Sequence, residues 1–141
     1  MWSLDEKQNN LGDLLFKLQE YTHLFFKRHA IAYRITLPDN SYSYQISPEN
    51  RREVFLLLKE CLGNIKKYAY ANQVDIKIQI VNNHLELIVK DDGVGFVLAK
   101  KKGKGKGLIS MENRAKKLLG NLKILTQPQK GTSITLTFPL N

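Results

Sequence analysis

Glu60 and Asn64 lie four residues apart in a stretch where Val54, Leu57, Leu58, Cys61, Leu62 and Ile65 recur at helical spacing. On a helix the carboxylate and the amide therefore share one face, while Cys61, Leu62 and Ile65 turn inward. Such a pair suits two tasks, Glu60 as a base or water-holder and Asn64 as a hard oxygen ligand for magnesium. By residue type alone, a solvated helix edge is the commoner use. Lys67 and Tyr68 follow one turn later and offer a phosphate contact and a flat surface for a base. A second group is Asp91-Asp92-Gly93-Val94-Gly95-Phe96, at the end of an alternating run. Its glycines let backbone approach a ligand closely, and its first aspartate is placed to accept a hydrogen bond in an apolar pocket. An acidic turn is the competing use; calcium is disfavoured because EF-hand spacing is absent. The third group, Lys100-Lys101-Lys102-Gly103-Lys104-Gly105-Lys106-Gly107-Leu108, sets lysines and bare backbone amides just before a helical pattern, which suits polyphosphate. It matches neither a Walker A loop nor a Rossmann fingerprint, and a solvated charge run remains the alternative.

The elements that must hold these groups can be read from periodicity. Leu11, Leu14, Leu18, Tyr21 and Phe25 form a heptad-like seam, widened by Leu15 and Phe26. That seam fits either a helix packed on its own domain or a helix whose partner lies elsewhere. Ile31 to Leu37 alternate as a half-buried strand, and Ser47-Pro48-Glu49 caps a helix expected to run to about Ala71. Val74 to Ile80 and Leu85 to Val89 alternate around Asn82-Asn83, an antiparallel hairpin signal. Residues 91–107 break every pattern and read as a long functional loop. Leu108, Met111, Ala115, Leu118 and Leu119 restore helical spacing, with Gly120 as the expected stop. Strands at Asn121–Thr126 and Thr132–Pro139 flank a turn at Pro128-Gln129-Lys130-Gly131. The order predicts an α+β, two-layer sandwich: a mixed, mostly antiparallel sheet with helices on one face, preceded by an N-terminal helix, and not a doubly wound fold.

A chain of 141 residues leaves room for one domain with an added helix. The net charge is +9, and residues 100–141 hold ten basic side chains against one acidic, so the excess sits in the last third. Clustering of this kind points to a local phosphate site. The single Cys61 and three scattered histidines exclude an intramolecular disulfide and a zinc pattern, and suggest a reducing, cytoplasmic setting. No run spans a bilayer, and residues 1–6 lack a signal-peptide pattern.

Taken together, Glu60-x-x-x-Asn64, Asp91-x-Gly93-x-Gly95, Gly105-x-Gly107-Leu108 and Gly131-Thr132 resemble, in order and spacing, the nucleotide boxes of the Bergerat-type ATPase and kinase superfamily. That superfamily includes DNA gyrase B, heat-shock chaperones, mismatch-repair proteins and sensor histidine kinases. The likeness to a histidine kinase catalytic domain covers roughly residues 48–140. Lys67-Tyr68-Ala69, the run from Asp91 to Phe96, and Gly107-Leu108-Ile109-Ser110-Met111-Glu112-Asn113-Arg114-Ala115 resemble the short-lid subfamily paired with DNA-binding response regulators. The resemblance implies ATP and magnesium as cofactors. Asp91 would bind the adenine amine, supported by Thr132 through water, and Gly93 and Gly95 would shape the adenine pocket. Asn64 would hold magnesium, with Glu60 as base or orienting group. Lys67 and the backbone of Gly105 and Gly107 would contact phosphate, Tyr68 would line the nucleotide site, and Lys104, Lys106 and Leu108 would complete the ATP-binding set, Lys106 departing from the neutral or polar residue usual there.

The same resemblance divides the chain into residues 1–30, the remnant second helix of a dimerisation hairpin introduced by Trp2-Ser3-Leu4, and residues 31–141, the ATP-binding catalytic domain. None of His23, His29 or His84 is followed by the acidic residue of a phosphoacceptor site. The chain is therefore expected to bind ATP and serve a histidine on another hairpin, with a response regulator as indirect partner, and not to phosphorylate itself. The seam within residues 4–28 would then be covered by a homodimer or by folding back. An anti-sigma-type serine kinase or a non-catalytic ATP-binding partner module shares the boxes. A basic nucleic-acid-binding module explains the charge alone, and lacks interleaved aromatics.

Overall fold

The protein is described from a computed structural model covering residues 10–95 and 106–140, with the side chains of Tyr68, Ala69 and Lys106 outside the description. Asn10 opens the first helix, α1 (Leu11–His29), by accepting a hydrogen bond from the Asp13 N–H. Ser47 does the same for α2 (Pro48–Asn64), its hydroxyl accepting from the Asn50 N–H at 3.1 Å, with Pro48 at the first position. Both caps satisfy donors that the helix itself leaves open. Past Asn64 the chain widens into a π-helical turn, Ile65–Ala69, and stops at Tyr70, whose φ of 52° is left-handed. The expected continuation to Ala71 as regular helix therefore gives way to a π turn, because Asn72 and Gln73 are already committed to the sheet edge through Asp92.

Strands β1 (Ala32–Thr36), β2 (Gln73–Val81), β3 (His84–Asp91), β4 (Asn121–Thr126) and β5 (Thr132–Pro139) form one sheet in the order β1-β2-β3-β5-β4. The β1–β2 pair is parallel, as the intervening α2 allows, and the other pairs are antiparallel. Asn82 and Asn83 both take positive φ in the β2–β3 turn, the conformation that matches strand twist in a tight hairpin. One sheet face is buried through Val74, Ile76, Ile78, Leu85, Leu87, Val89, Leu136 and Phe138, while Asp75, Lys77, Lys90 and Lys123 are exposed. This is the mixed-sheet, two-layer α+β architecture expected from the pattern.

The third helix, α3 (Lys106–Lys117), packs on α2, and its end is closed by the Gly120 N–H donating to the Ala115 carbonyl at 2.8 Å. The left-handed residue there is Leu119, with φ 59°, and not the expected Gly120. Gly120 is required for a different reason: a Cβ at that position would enter the Thr137 carbonyl and the Phe138 side chain of β5.

Of the two readings of the N-terminal seam, the structure takes the first. Leu11, Leu14, Leu15, Leu18 and Phe26 lie in the same hydrophobic core as α2 and the sheet, and Tyr21 packs edge-on against Phe55 of α2. Phe16 and Leu24 are the large apolar side chains of α1 left exposed. The seam within residues 11–28 is thus covered by folding back, and residues 4–9 lie outside the described residues. Leu18→Ala is expected to destabilise the protein by about 3 kcal/mol in urea unfolding, the cost of a fully buried leucine cavity. A change within experimental error would show that α1 is dispensable to this core.

Candidate functional site

At the end of β3 the two aspartates separate by strand parity. Asp91 is buried, at 6% exposure, whereas Asp92 points out. The Asp91 Oδ1 accepts from the Gly93 N–H at 2.8 Å. Burial holds its carboxyl above the usual range and the neighbouring Asp92 charge adds to this, while the Gly93 and Thr132 backbone N–H groups pull the other way. Asp92 has structural work: its Oδ1 accepts from the N–H groups of Asn72 at 2.8 Å and Gln73 at 3.0 Å, bonds that hold its pKa low. One aspartate is thus left with buried acceptor capacity and the other ties β3 to the start of β2.

The floor around Asp91 comes from the β5 side. Thr132 is the register partner of Asp91, and its hydroxyl is 2.9 Å from that of Thr126 on β4. Gly131 has a φ of 79°, and a Cβ there would enter the Asp91 carbonyl. Gly95, with φ 65°, faces the Gln127 carbonyl equally closely. These two positive-φ glycines let the segment after β3 lie flat on the β4–β5 turn, which any side chain would prop open.

The phosphate-side residues meet at the other junction, between α2 and α3. A Cβ on Gly107 would sit 3.0 Å from Asn64 Nδ2, 3.1 Å from Asn64 Oδ1 and 3.2 Å from Glu60 Oε2. The backbone at the start of α3 therefore rests on the carboxylate and amide that the sequence placed on one helix face. Both are half-buried, as are Gly107 and Leu108, while Lys67 on the π turn is exposed. Seven residues, 65–71, lead from Asn64 to Asn72, which Asp92 anchors, so one short segment links the two halves of the site. Lys104 and Gly105, and the side chains of Tyr68 and Lys106, lie outside the described residues.

Cys61 is a buried core residue. Its Sγ is 3.3 Å from the Met111 Sδ, and burial, with the Glu60 charge, pushes the thiol up to about 12. Among the described residues no three His, Cys, Asp or Glu side chains gather as a metal cage. The oxygens of Asn64 and Glu60 are hard donors beside a cradle that a Cβ would fill, a set that suits magnesium sharing its remaining ligands with phosphate and water. Sequence reasoning missed the contact of Gly107 with Asn64 and the ion pair between Glu53 of α2 and Arg114 of α3, at 2.8 Å. Its only trace in the sequence is that each residue lies two turns from a site residue on its own helix.

Residues 49–141 match the family of histidine kinase-, DNA gyrase B- and HSP90-like ATPases. The chain is 37% identical over 87 residues to the signal transduction histidine-protein kinase/phosphatase DegS of Brevibacillus brevis, covering 62% of this chain and 22% of that protein. It is 30% identical over 141 residues to the oxygen sensor histidine kinase NreB of Staphylococcus carnosus (strain TM300), covering 98% of this chain and 40% of the relative. The chain thus spans less than half the length of these relatives. In fold it resembles the histidine kinase domain of the blue-light activated histidine kinase of Erythrobacter litoralis EL346, with TM-score 0.75, 18% identity and coverage of 90% of this chain and 61% of that one. It also resembles the Acinetobacter baumannii histidine kinase AdeS, with TM-score 0.73, 18% identity and coverage of 94% and 66%.

Proposed function

Because the chain belongs to the family of histidine kinase-, DNA gyrase B- and HSP90-like ATPases, we propose that it is the ATP-binding part of a sensor histidine kinase that presents the γ-phosphoryl group to a histidine outside this chain. The observation that carries this reading is the closure of Gly107 onto Asn64 and Glu60. It brings backbone amides at a helix start, a hard oxygen donor and a carboxylate to one point, as polyphosphate handling requires.

In this reading Asp91 accepts from the adenine exocyclic amine. A carboxylate has about four lone-pair sites, so capacity remains after the bonds to Gly93 and Thr132. Thr132 supports the base through water, and Gly93 and Gly95 shape the pocket wall. Lys67 and the backbone of Gly105 and Gly107 contact phosphate, Lys104 and Lys106 add positive charge from the lysine-rich segment, and Tyr68 and Leu108 line the cleft. Bound magnesium supplies charge neutralisation at the phosphate oxygens, and Asn64 is the residue that would hold it. Glu60 serves as the base or orienting group toward the incoming histidine, so the protein acts by positioning and electrostatics.

An acceptor outside this chain is supported by the surroundings of its own histidines. His23 Nδ1 pairs with the Tyr33 hydroxyl at 2.8 Å, His29 packs on Phe25, and His84 Nδ1 contacts the Asn82 carbonyl at 2.8 Å. The test is calorimetry with Mg-ATP followed by labelled ATP and a separate acceptor hairpin. Magnesium-dependent binding is expected, about tenfold weaker in Asn64→Ala, with phosphohistidine formed on the hairpin. Equal binding with and without magnesium would sink the metal role, and label on serine would favour an anti-sigma-type kinase.

A further inference from the structure

The contact between α2 and α3 has the same spacing on both helices. Glu53 and Glu60 are seven residues apart on α2, and Gly107 and Arg114 are seven apart on α3. Gly107 lies on Glu60 and Asn64, while Arg114 Nη1 lies 2.8 Å from Glu53 Oε1. The helices therefore run antiparallel, with the ion pair two turns, about 10 Å, from the phosphate end. Between the two ends, Cys61 meets Met111.

The apolar part of this contact buries Met111 and Ala115 of α3, and Leu118 just past it, against the core. To that close packing the ion pair adds a contact at the far end of the two helices from the phosphate side. A charge-assisted bond between side chains that are only 15% and 23% exposed is specific in distance and angle. Sliding α3 by one turn would carry Gly107 about 5.4 Å from Asn64. Among the described residues the buried Arg114 Nε has no hydrogen-bond partner, and the bond from Nη1 to Glu53 fixes the guanidinium. Arg114 leaves from the last turn of α3, where a positive charge complements the helix dipole.

Resting on the nucleotide reading above, we propose that the Glu53–Arg114 pair is the register pin of the phosphate site: Arg114 is a positioning residue that keeps the Gly107 backbone on Asn64 and Glu60 without itself touching nucleotide. It acts on the phosphate half of the site and not on the adenine half, which Asp91 builds from the sheet.

The experiment measures affinity for Mg-ATP and for adenosine, with thermal melting, in wild type, Arg114→Ala and the charge swap Glu53→Arg with Arg114→Glu. Adenosine lacks phosphates and reports the Asp91 pocket alone. Arg114→Ala is expected to weaken Mg-ATP about tenfold and leave adenosine unchanged, and the swap to recover most of the loss. Unchanged Mg-ATP affinity in Arg114→Ala, an equal loss for both ligands, or no recovery in the swap each overturns the proposal. Should Arg114→Ala fail to fold, Glu53→Ala, which removes the acceptor and leaves Arg114 in place, is read in the same way. Wild-type protein that binds neither ligand overturns the nucleotide reading, and this inference with it.

Discussion

Asp91→Asn is expected to abolish ATP binding while leaving the protein at least as stable as wild type. The side chain is buried at 6% exposure, and an asparagine oxygen can still accept from the Gly93 N–H, so shape and the local bond survive. What changes is the other end of the group: an amide NH2 would face the adenine amine, donor against donor. The expected loss in affinity is about a hundredfold or more by calorimetry. Stability moves in the opposite direction. Burial raises the pKa of Asp91, so the native state holds its proton more tightly than the unfolded chain, and stability falls as pH rises from the unfolded value through the folded one. Above that window the ionised carboxylate is a cost that asparagine removes. In wild type, ATP affinity is expected to decline as pH is lowered through the raised Asp91 pKa, at a higher pH than an ordinary aspartate would give. A variant that melts lower and binds ATP normally would contradict both halves.

Gly107→Val is the second change of large effect, and it too separates function from stability. Valine is a better helix former than glycine, by roughly 0.3–0.5 kcal/mol at an interior position, so propensity alone favours the substitution. The position is half-buried in the first turn of α3. Its Cβ, however, would lie 3.0–3.2 Å from Asn64 and Glu60, and the two methyls would extend into the space those groups share. The expected result is a loss of Mg-ATP affinity of about a hundredfold and no transfer to a separate acceptor, with a melting temperature close to wild type. Retained affinity would show that the amide and carboxylate do not face the nucleotide.

These two positions show how much of the site was legible beforehand. Asp91 and Asn64 were readable because glycine spacing and helical parity are local: the residue types, their order and the elements that carry them follow from neighbours within a few positions. The α2 cap, the Asn82-Asn83 turn and the placing of Cys61, Leu62 and Ile65 in the core were legible for the same reason. The division of labour between Asp91 and Asp92 was not, since it depends on which one meets Asn72 and Gln73, some twenty residues away in sequence. The left-handed Leu119 was hidden by Gly120, whose need for a small side chain comes from β5 and not from the helix end.

The N-terminal helix marks the same limit. Its seam of Leu11, Leu14, Leu18, Tyr21 and Phe25 states that one face must be covered and leaves open by what. Folding back against α2 and the sheet is a tertiary answer, reached because Leu11, Leu14 and Leu18 complete a core that the sheet and α2 already share.

By itself, then, the sequence determined the α+β element order, the clustering of positive charge after residue 99, and the residue types offered to a nucleotide. Only the tertiary structure decided that Gly107 closes on Glu60 and Asn64, that Thr132 stands opposite Asp91, and that Arg114 reaches Glu53. Periodicity encodes which face of an element is buried; contacts between residues 41 to 61 positions apart depend on helix register and strand order, which no local pattern records.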